Sequence, residues 1–327
     1  MLQASKRHAA LLPVPMLATF VAFATLPLWI KGIGLYPYLG VEVMIWIVYA
    51  LGFNLLLGYA GLPSVGHGAY FGIGAYAFGL AQLHLGAGLW ASLCAAIAAG
   101  AIAGALVGLF ISLRRGIYYA LLTIAFGQIF WFVAIKWHSV THGEDGLLNI
   151  RRLPADLGFA SFEIQKLEHL YYFCFAIFVV VVLLLWRLVH SPFGRVLAAI
   201  KQNETRARFV GYNVWLYKWI AFTLSTLVAG VAGGMFALAQ QSAYPNVMSL
   251  HQSGFVVMMT LVGGGLVSFW GPLLGAVLFF IARDLLGAYT EAWLLWYGLL
   301  FMLIVLFKPE GLAGLIRRAP VRSQAAA

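Results

Sequence analysis

The chain has 327 residues, of which 63% are hydrophobic and only 9% charged, and its mean hydropathy is +0.93. Soluble chains carry about a quarter charged residues, so this composition excludes a soluble enzyme, a disordered chain and a secreted disulfide scaffold, and calls for an integral membrane protein. The net charge of +10 would suggest nucleic acid in a soluble protein. Here the basic residues lie in short loops between apolar stretches, where they set topology, and no nucleic-acid partner is expected.

In chain order, Lys6 and Arg7 precede an apolar run from Leu11 to Ile30. It exceeds the roughly 7–15 residues of a signal-peptide core and lacks a small-residue cleavage pattern, so it reads as an uncleaved first span. A crossing helix needs about 20 predominantly apolar residues. By that measure spans are expected over 11–30, 40–59, 66–84, 89–112, 117–137, 169–189, 215–240, 252–268, 271–288 and 291–307. The expected fold is an all-α polytopic bundle of about ten transmembrane helices. The Gly-rich third span has the composition of a broken or re-entrant segment, and the eighth and ninth are separated only by Phe269 and Trp270.

With the N-terminus cytoplasmic, fourteen of the 20 Lys and Arg fall on the inner side. Five (Lys31, Lys136, Arg151, Arg152 and Lys166) fall outside, and Arg283 lies within a span. The positive-inside rule and the even span count put both termini in the cytoplasm. One membrane domain is expected over 1–318, with an outer loop at 138–168 and an inner loop at 190–214, followed by a short polar cytoplasmic tail at 319–327.

Small residues recur at spacing four: Ala96, Gly100, Gly104 and Gly108 in the fourth span, Gly68 and Gly72 in the third, Gly230 and Gly234 in the seventh, Gly271 and Gly275 in the ninth. Such stripes let helix backbones approach closely in lipid. Cys94 and Cys174 match no metal or redox spacing, and no metal site is expected. No Walker A sequence is present, and Gly66–Gly74 lacks the strand that a dinucleotide fingerprint requires.

The inner segment 190–214 carries four of the fourteen inner Lys and Arg, more than any other single inner loop. Ser191 and Pro192 suit a helix start, Phe193, Val196, Leu197 and Ile200 recur at helical spacing, and Gly211 suits a helix stop. A single short amphipathic helix is expected, with Lys201, Glu204, Arg206 and Arg208 on its polar side. Its apolar face fits anionic lipid or a cytoplasmic protein equally well.

Several blocks, taken together and in order, resemble the permeases of branched-chain amino acid type ABC transporters, most closely the M-type subunit. These are Asn54–Leu62 and Ser64–Tyr76; Arg115–Tyr119 with Ala125–Ile129; Leu261–Gly265 with Gly271–Ala276; Tyr289–Trp293; Lys308–Leu312; and the inner segment itself, with Glu204, Ala207, Gly211–Val214 and Lys218. The resemblance covers about residues 45–318. It implies a non-catalytic permease subunit in the bacterial inner membrane, with no cofactor of its own because ATP is used by partner subunits. The implied partners are a second homologous permease, two cytoplasmic ATPases, a periplasmic binding protein and membrane lipid. It implies ATPase-coupling roles for Arg195, Ile200, Glu204, Ala207 and Gly211. The sequence departs from the family at Ile117 and Gln128, where acidic residues are frequent, and at His142, which replaces one Gly of an outer Gly pair. The substrate therefore stays open among branched-chain amino acids, urea, amides and aromatic acids.

Asn54, His67 and Gln128 are translocation-path candidates, since intramembrane polar groups face partners or a cavity; helix bridging or packing accounts for them as well. Glu42 is expected to snorkel to the outer interface. Arg283 and Asp284 project roughly 100° apart on a helix, so each is expected to have another partner, with an outer-leaflet structural role favoured over substrate contact. The competing class, a stand-alone secondary transporter or channel, usually places coupling carboxylates near mid-membrane; most of the 10 acidic residues here lie in loops or at span ends. An intramembrane enzyme would need a nucleophile and base, or a metal cluster, at one depth, and the His residues form no such set.

Overall fold

A computed structural model describes residues 14–156, 161–266, 268–308 and 310–316. Lys6, Arg7, the first residues of the predicted span 11–30, Pro309, Arg317, Arg318, Arg322 and the tail 319–327 lie outside the described residues. The helices are α1 (Val14–Trp29), α2 (Tyr38–Asn54, continued by a π turn, Leu55–Ala60), α3 (Gly68–Leu85), α4 (Leu89–Ile111), α5 (Gly116–Lys136) and the single turn α6 (His138–Thr141). After a two-residue hairpin, β1 (Ala155–Asp156) with β2 (Ser161–Phe162), come α7 (Leu167–His190), α8 (Pro192–Gln202), α9 (Glu204–Phe209) and α10 (Val214–Gln240). The chain continues through α11 (Leu250–Gly263), α12 (Gly271–Tyr289), α13 (Trp293–Phe307) and α14 (Gly311–Ile316).

Every predicted span coincides with a helix. Six, namely α2 with its π turn, α4, α5, α7, α10 and α12, are long and apolar enough to cross a membrane. Helices α1, α11 and α13 are apolar but shorter, at 16, 14 and 15 residues. The Gly-rich α3 is unbroken from Gly68 to Leu85. The eighth span is shorter than its apolar run, because Gly264 (φ 89°) terminates α11 before the turn that leads to α12.

Helices α2 and α10 are buried on nearly all sides, as expected of helices apolar all round. The crossings of α10 with α3 and α4 are backbone on backbone. A Cβ on Gly74 would stand 2.6 Å from Gly230 Cα, and one on Gly100 would stand 2.7 Å from the Thr226 carbonyl oxygen. Any larger side chain would push the helices apart, so the glycine stripes of α3, α4 and α10 are the contact surface itself. Helix α5 is different. Its buried residues are Tyr119, Thr123, Gly127 and Ala134, a narrow stripe that leaves most of its circumference uncovered.

Two polar locks join distant parts of the chain. Pro27 has no N–H, which frees the carbonyl of Phe23 one turn earlier. The Tyr171 hydroxyl of α7 donates to that carbonyl. At the end of the bundle that carries the 138–168 loop, Leu147 and Ala243 form an antiparallel bridge, and Arg152 donates to the carbonyls of Leu238 and Ala239 (3.4 and 2.7 Å). That cation satisfies carbonyls left open at the end of α10.

Candidate functional site

The segment between α7 and α10 lies at the opposite end of the bundle from the 138–168 loop. Ser191 has extended backbone and Pro192 occupies the first turn of α8. The Ser191 hydroxyl does not cap α8; it donates to the Leu188 carbonyl at 2.6 Å. The predicted single helix is in fact two. Asn203 is extended (φ −160°, ψ 101°), and its side chain accepts from the Arg206 N–H at 2.9 Å to start α9. An Asn that supplies its own N-cap competes with helix continuation, which is why the apolar periodicity changes phase there. Gly211 (φ 98°) ends α9 as expected. Its N–H donates to Arg208 and that of Tyr212 to Ala207, the double bond of a Schellman stop.

Val196, Ile200 and Ala207 fold with Val214 and Tyr217 into a small core of their own, while Arg195 is exposed. Glu204 is less a surface charge than a hub. Its carboxylate lies 3.1 Å from Arg115, 3.3 Å from Arg208 and 3.7 Å from Lys218. Lys218 is buried and also donates to the Arg114 carbonyl. Lys201 likewise turns inward, donating to the carbonyls of Gly58 in the π turn (2.7 Å) and Leu266 in the α11–α12 turn (3.2 Å). Partial desolvation there lowers its pKa from the ordinary lysine value. Four elements thus hold α8–α9: the end of α2, the start of α5, the start of α10 and the turn after α11. Its outward surface shows Phe209, Val210 and Tyr212, respectively 88%, 72% and 40% exposed.

The three path candidates occupy different places. Asn54 is buried where α2 becomes a π turn, and neither side-chain atom has a hydrogen-bond partner among the described residues. Gly58 and Gly265 press against its amide. His67 is enclosed by the rings of Tyr49, Phe53, Tyr70 and Phe222. Its Nδ1 lies 3.3 Å from Ser64 Oγ and its Nε2 lies 3.1 Å from Ser225 Oγ. The Ser225 hydroxyl donates to the Gly52 carbonyl at 2.6 Å, so it has only lone pairs left for the imidazole. The proton therefore sits on Nε2, and Nδ1 accepts from Ser64. Gln128 lies half-buried on α5, beside the Gly127 stripe.

At the other end one expectation is corrected and one is met for Arg283, which has a partner beyond its sequence neighbour. Glu42 does not snorkel: its carboxylate accepts from Arg283 of α12 at 2.8 Å. Arg283 also reaches its sequence neighbour, Nε donating to Asp284 Oδ1 at 3.2 Å. The flexible arginine stem spans the angle that the helix puts between them. No local pattern signals the Glu42–Arg283 pair, because its members are 241 residues apart.

Residues 37–308 match the family described as the branched-chain amino acid transport system / permease component. The chain belongs to this family. It is 30% identical over 293 residues to the high-affinity branched-chain amino acid transport system permease proteins LivM of Escherichia coli and Salmonella typhimurium, covering 84% of this chain and 69% of each relative. It is 30% identical over 114 residues to a nucleoside ABC transporter permease protein, NupC, of Lactococcus lactis, over 35% of this chain and 33% of that one. No solved structure gives a significant match. This permease therefore joins an apolar helical bundle to a rigidly held surface segment. Among the described residues no group of His, Cys, Asp or Glu is placed to hold a metal ion.

Proposed function

We propose that this permease is the membrane subunit of an ATP-driven importer in a bacterial inner membrane, moving branched-chain amino acids or a related small polar solute handed over by a periplasmic binding protein. In this reading ten helices span the membrane, both termini are cytoplasmic, α8–α9 faces the cytoplasm and the 138–168 loop faces the binding protein. The chain itself performs no catalysis; two ATPase subunits hydrolyse ATP, and a second, homologous permease completes the pathway. The uncovered circumference of α5 is available to that second permease.

The observation that carries the proposal is the mounting of α8–α9. It presents Phe209, Val210 and Tyr212 outward while Glu204 and Lys201 tie it to α2, α5, α10 and the α11–α12 turn. A displacement imposed on that surface is passed directly to the ends of four helices. Arg195, Ile200, Ala207 and Gly211 serve this role by facing outward, filling the small core and setting the stop of α9. At the receiving end of Lys201 lie the π turn and the Asn54 amide, which has no partner among the described residues, and π turns inside helices recur at functional sites.

The test is gentle purification of the tagged protein followed by reconstitution with a binding protein. Co-purification of two P-loop ATPases and a second permease, with leucine uptake that requires ATP, is the expected result. A stable complex without an ATPase, or uptake that proceeds equally without ATP, would overturn the proposal.

A further inference from the structure

At the end of the bundle opposite α8–α9, a cavity of about 240 Å³ opens between α2, α10, α11, α12 and α13. Glu42 and Arg283 border it, with the amides of Gln240 and Gln252 and aromatic rings that include Trp46 and Trp293. We infer that this cavity is a recognition site for a small zwitterionic amino acid, whose ammonium pairs with Glu42 and whose carboxylate pairs with Arg283. The inference rests on the importer reading for its physiological direction, since that reading makes this the end at which substrate arrives.

The chemistry follows from the pair. Glu42 and Arg283 are 14% and 27% exposed and bridge at 2.8 Å. Even a partly buried pair is costly to break when a charge is left without a partner. A zwitterion is the ligand that avoids this cost: it inserts between the two and gives each a new partner of opposite sign. A simple carboxylate would strand Glu42, and a simple amine would leave Arg283 with only its sequence neighbour Asp284 and the Tyr36 hydroxyl. The Arg283 guanidinium is already steadied by the Phe280 ring, 4.5 Å from its centroid. A brace alone would need no open volume beside it. Here the side chains of Gln240 and Gln252 border that volume, and neither makes a hydrogen bond to another described residue. At about 30 Å³ per water-sized group the cavity holds roughly eight such groups, the size of a small aliphatic amino acid, and its rings form an apolar wall for the side chain.

The test uses the assembled transporter in nanodiscs without its binding protein. Binding of radiolabelled L-leucine is read by scintillation proximity, with 3-methylbutylamine and 4-methylpentanoate as competitors that lack one charge each. Saturable leucine binding is expected, with each competitor at least tenfold weaker than unlabelled leucine. Glu42→Gln should weaken leucine at least tenfold and bring 4-methylpentanoate level with it; Arg283→Gln should do the same for the amine. The wild-type comparison of the three ligands stands even if a variant folds poorly. No saturable leucine binding, or equal competition by all three, would overturn the inference. ATP-driven leucine uptake in the same preparation, with binding protein added back, separates the two proposals. Uptake without zwitterion-selective binding rejects the cavity alone, and selective binding without ATP-driven uptake rejects the importer reading alone.

Discussion

Changing Glu204 to Gln keeps the side-chain shape and removes the charge at the centre of the α8–α9 mounting. The magnitude follows from its three partners. Arg115 and Arg208 are about half exposed, with 48% and 60% of their side-chain surface accessible, and exposed ion pairs contribute only about 0–1 kcal/mol each. Lys218 is 1% exposed and 3.7 Å away. At an effective dielectric constant of about 20 that contact amounts to roughly 4 kcal/mol, part of which its retained bond to the Arg114 carbonyl offsets. A net loss of about 3 kcal/mol is expected, which lowers the unfolding midpoint in detergent by about 5–10 °C. Lys218→Met removes the charge that is otherwise stranded. Glu204→Gln with Lys218→Met should therefore be less destabilised than the sum of the single changes by more than about 1 kcal/mol, the signature of a coupled pair. Under the importer reading, Glu204→Gln should also lose most uptake while ATP hydrolysis by the complex continues. An unchanged midpoint for Glu204→Gln, or strictly additive single effects, would refute the electrostatic account of this hub.

Three further outcomes are expected. Gly230→Ala places a Cβ 2.6 Å from the Ala96 carbonyl oxygen and should cost about 1–3 kcal/mol by overpacking, read as a lower unfolding midpoint; an unchanged midpoint would show that the α4–α10 crossing is loose. His67→Ala empties a ring-lined site and strands Ser64, so a loss of about 3 kcal/mol is expected, with His67→Phe losing less; equal midpoints for the two variants would deny the packing role. Cys94 is exposed on α4 and Cys174 is buried, so a membrane-permeant maleimide should label Cys94 in the folded protein and Cys174 only after denaturation, as peptide mass mapping would show.

Much of the fold was readable because apolar length is a strong signal. All ten apolar stretches are helical, and the stripe at Ala96, Gly100, Gly104 and Gly108 does face α10, the first two against its backbone and the last two against the side chains of Thr226, Trp219 and Phe222. Helix ends were less readable where a single residue redirects the chain. Gly264 stops α11 within an apolar run, and Asn203 splits α8 from α9 although apolar residues continue on both sides. The family resemblance at Glu204 and Gly211 was visible, yet what Glu204 touches was not, since Arg115 and Lys218 come from other helices. Lys201 read as a solvated polar residue because its acceptors are main-chain carbonyls, which leave no trace in side-chain patterns. The Glu42–Arg283 pair was hidden for the simplest reason: one partner is in the second helix and the other in the twelfth.

The glycine-lined meeting of α3 and α4 with α10 also bears on how the protein is made. The hairpin of α3 and α4 is complete once Ile111 has been synthesised, but its partner surface ends at Gln240. At about 5–20 residues per second the ribosome needs on the order of ten seconds to supply it. During that interval the grooves along Gly74 and Gly100 have only lipid or the insertion machinery to fill them. Bulky replacements there should therefore expose the nascent chain to quality-control proteolysis, lowering the amount of protein in the membrane before any defect in transport is seen.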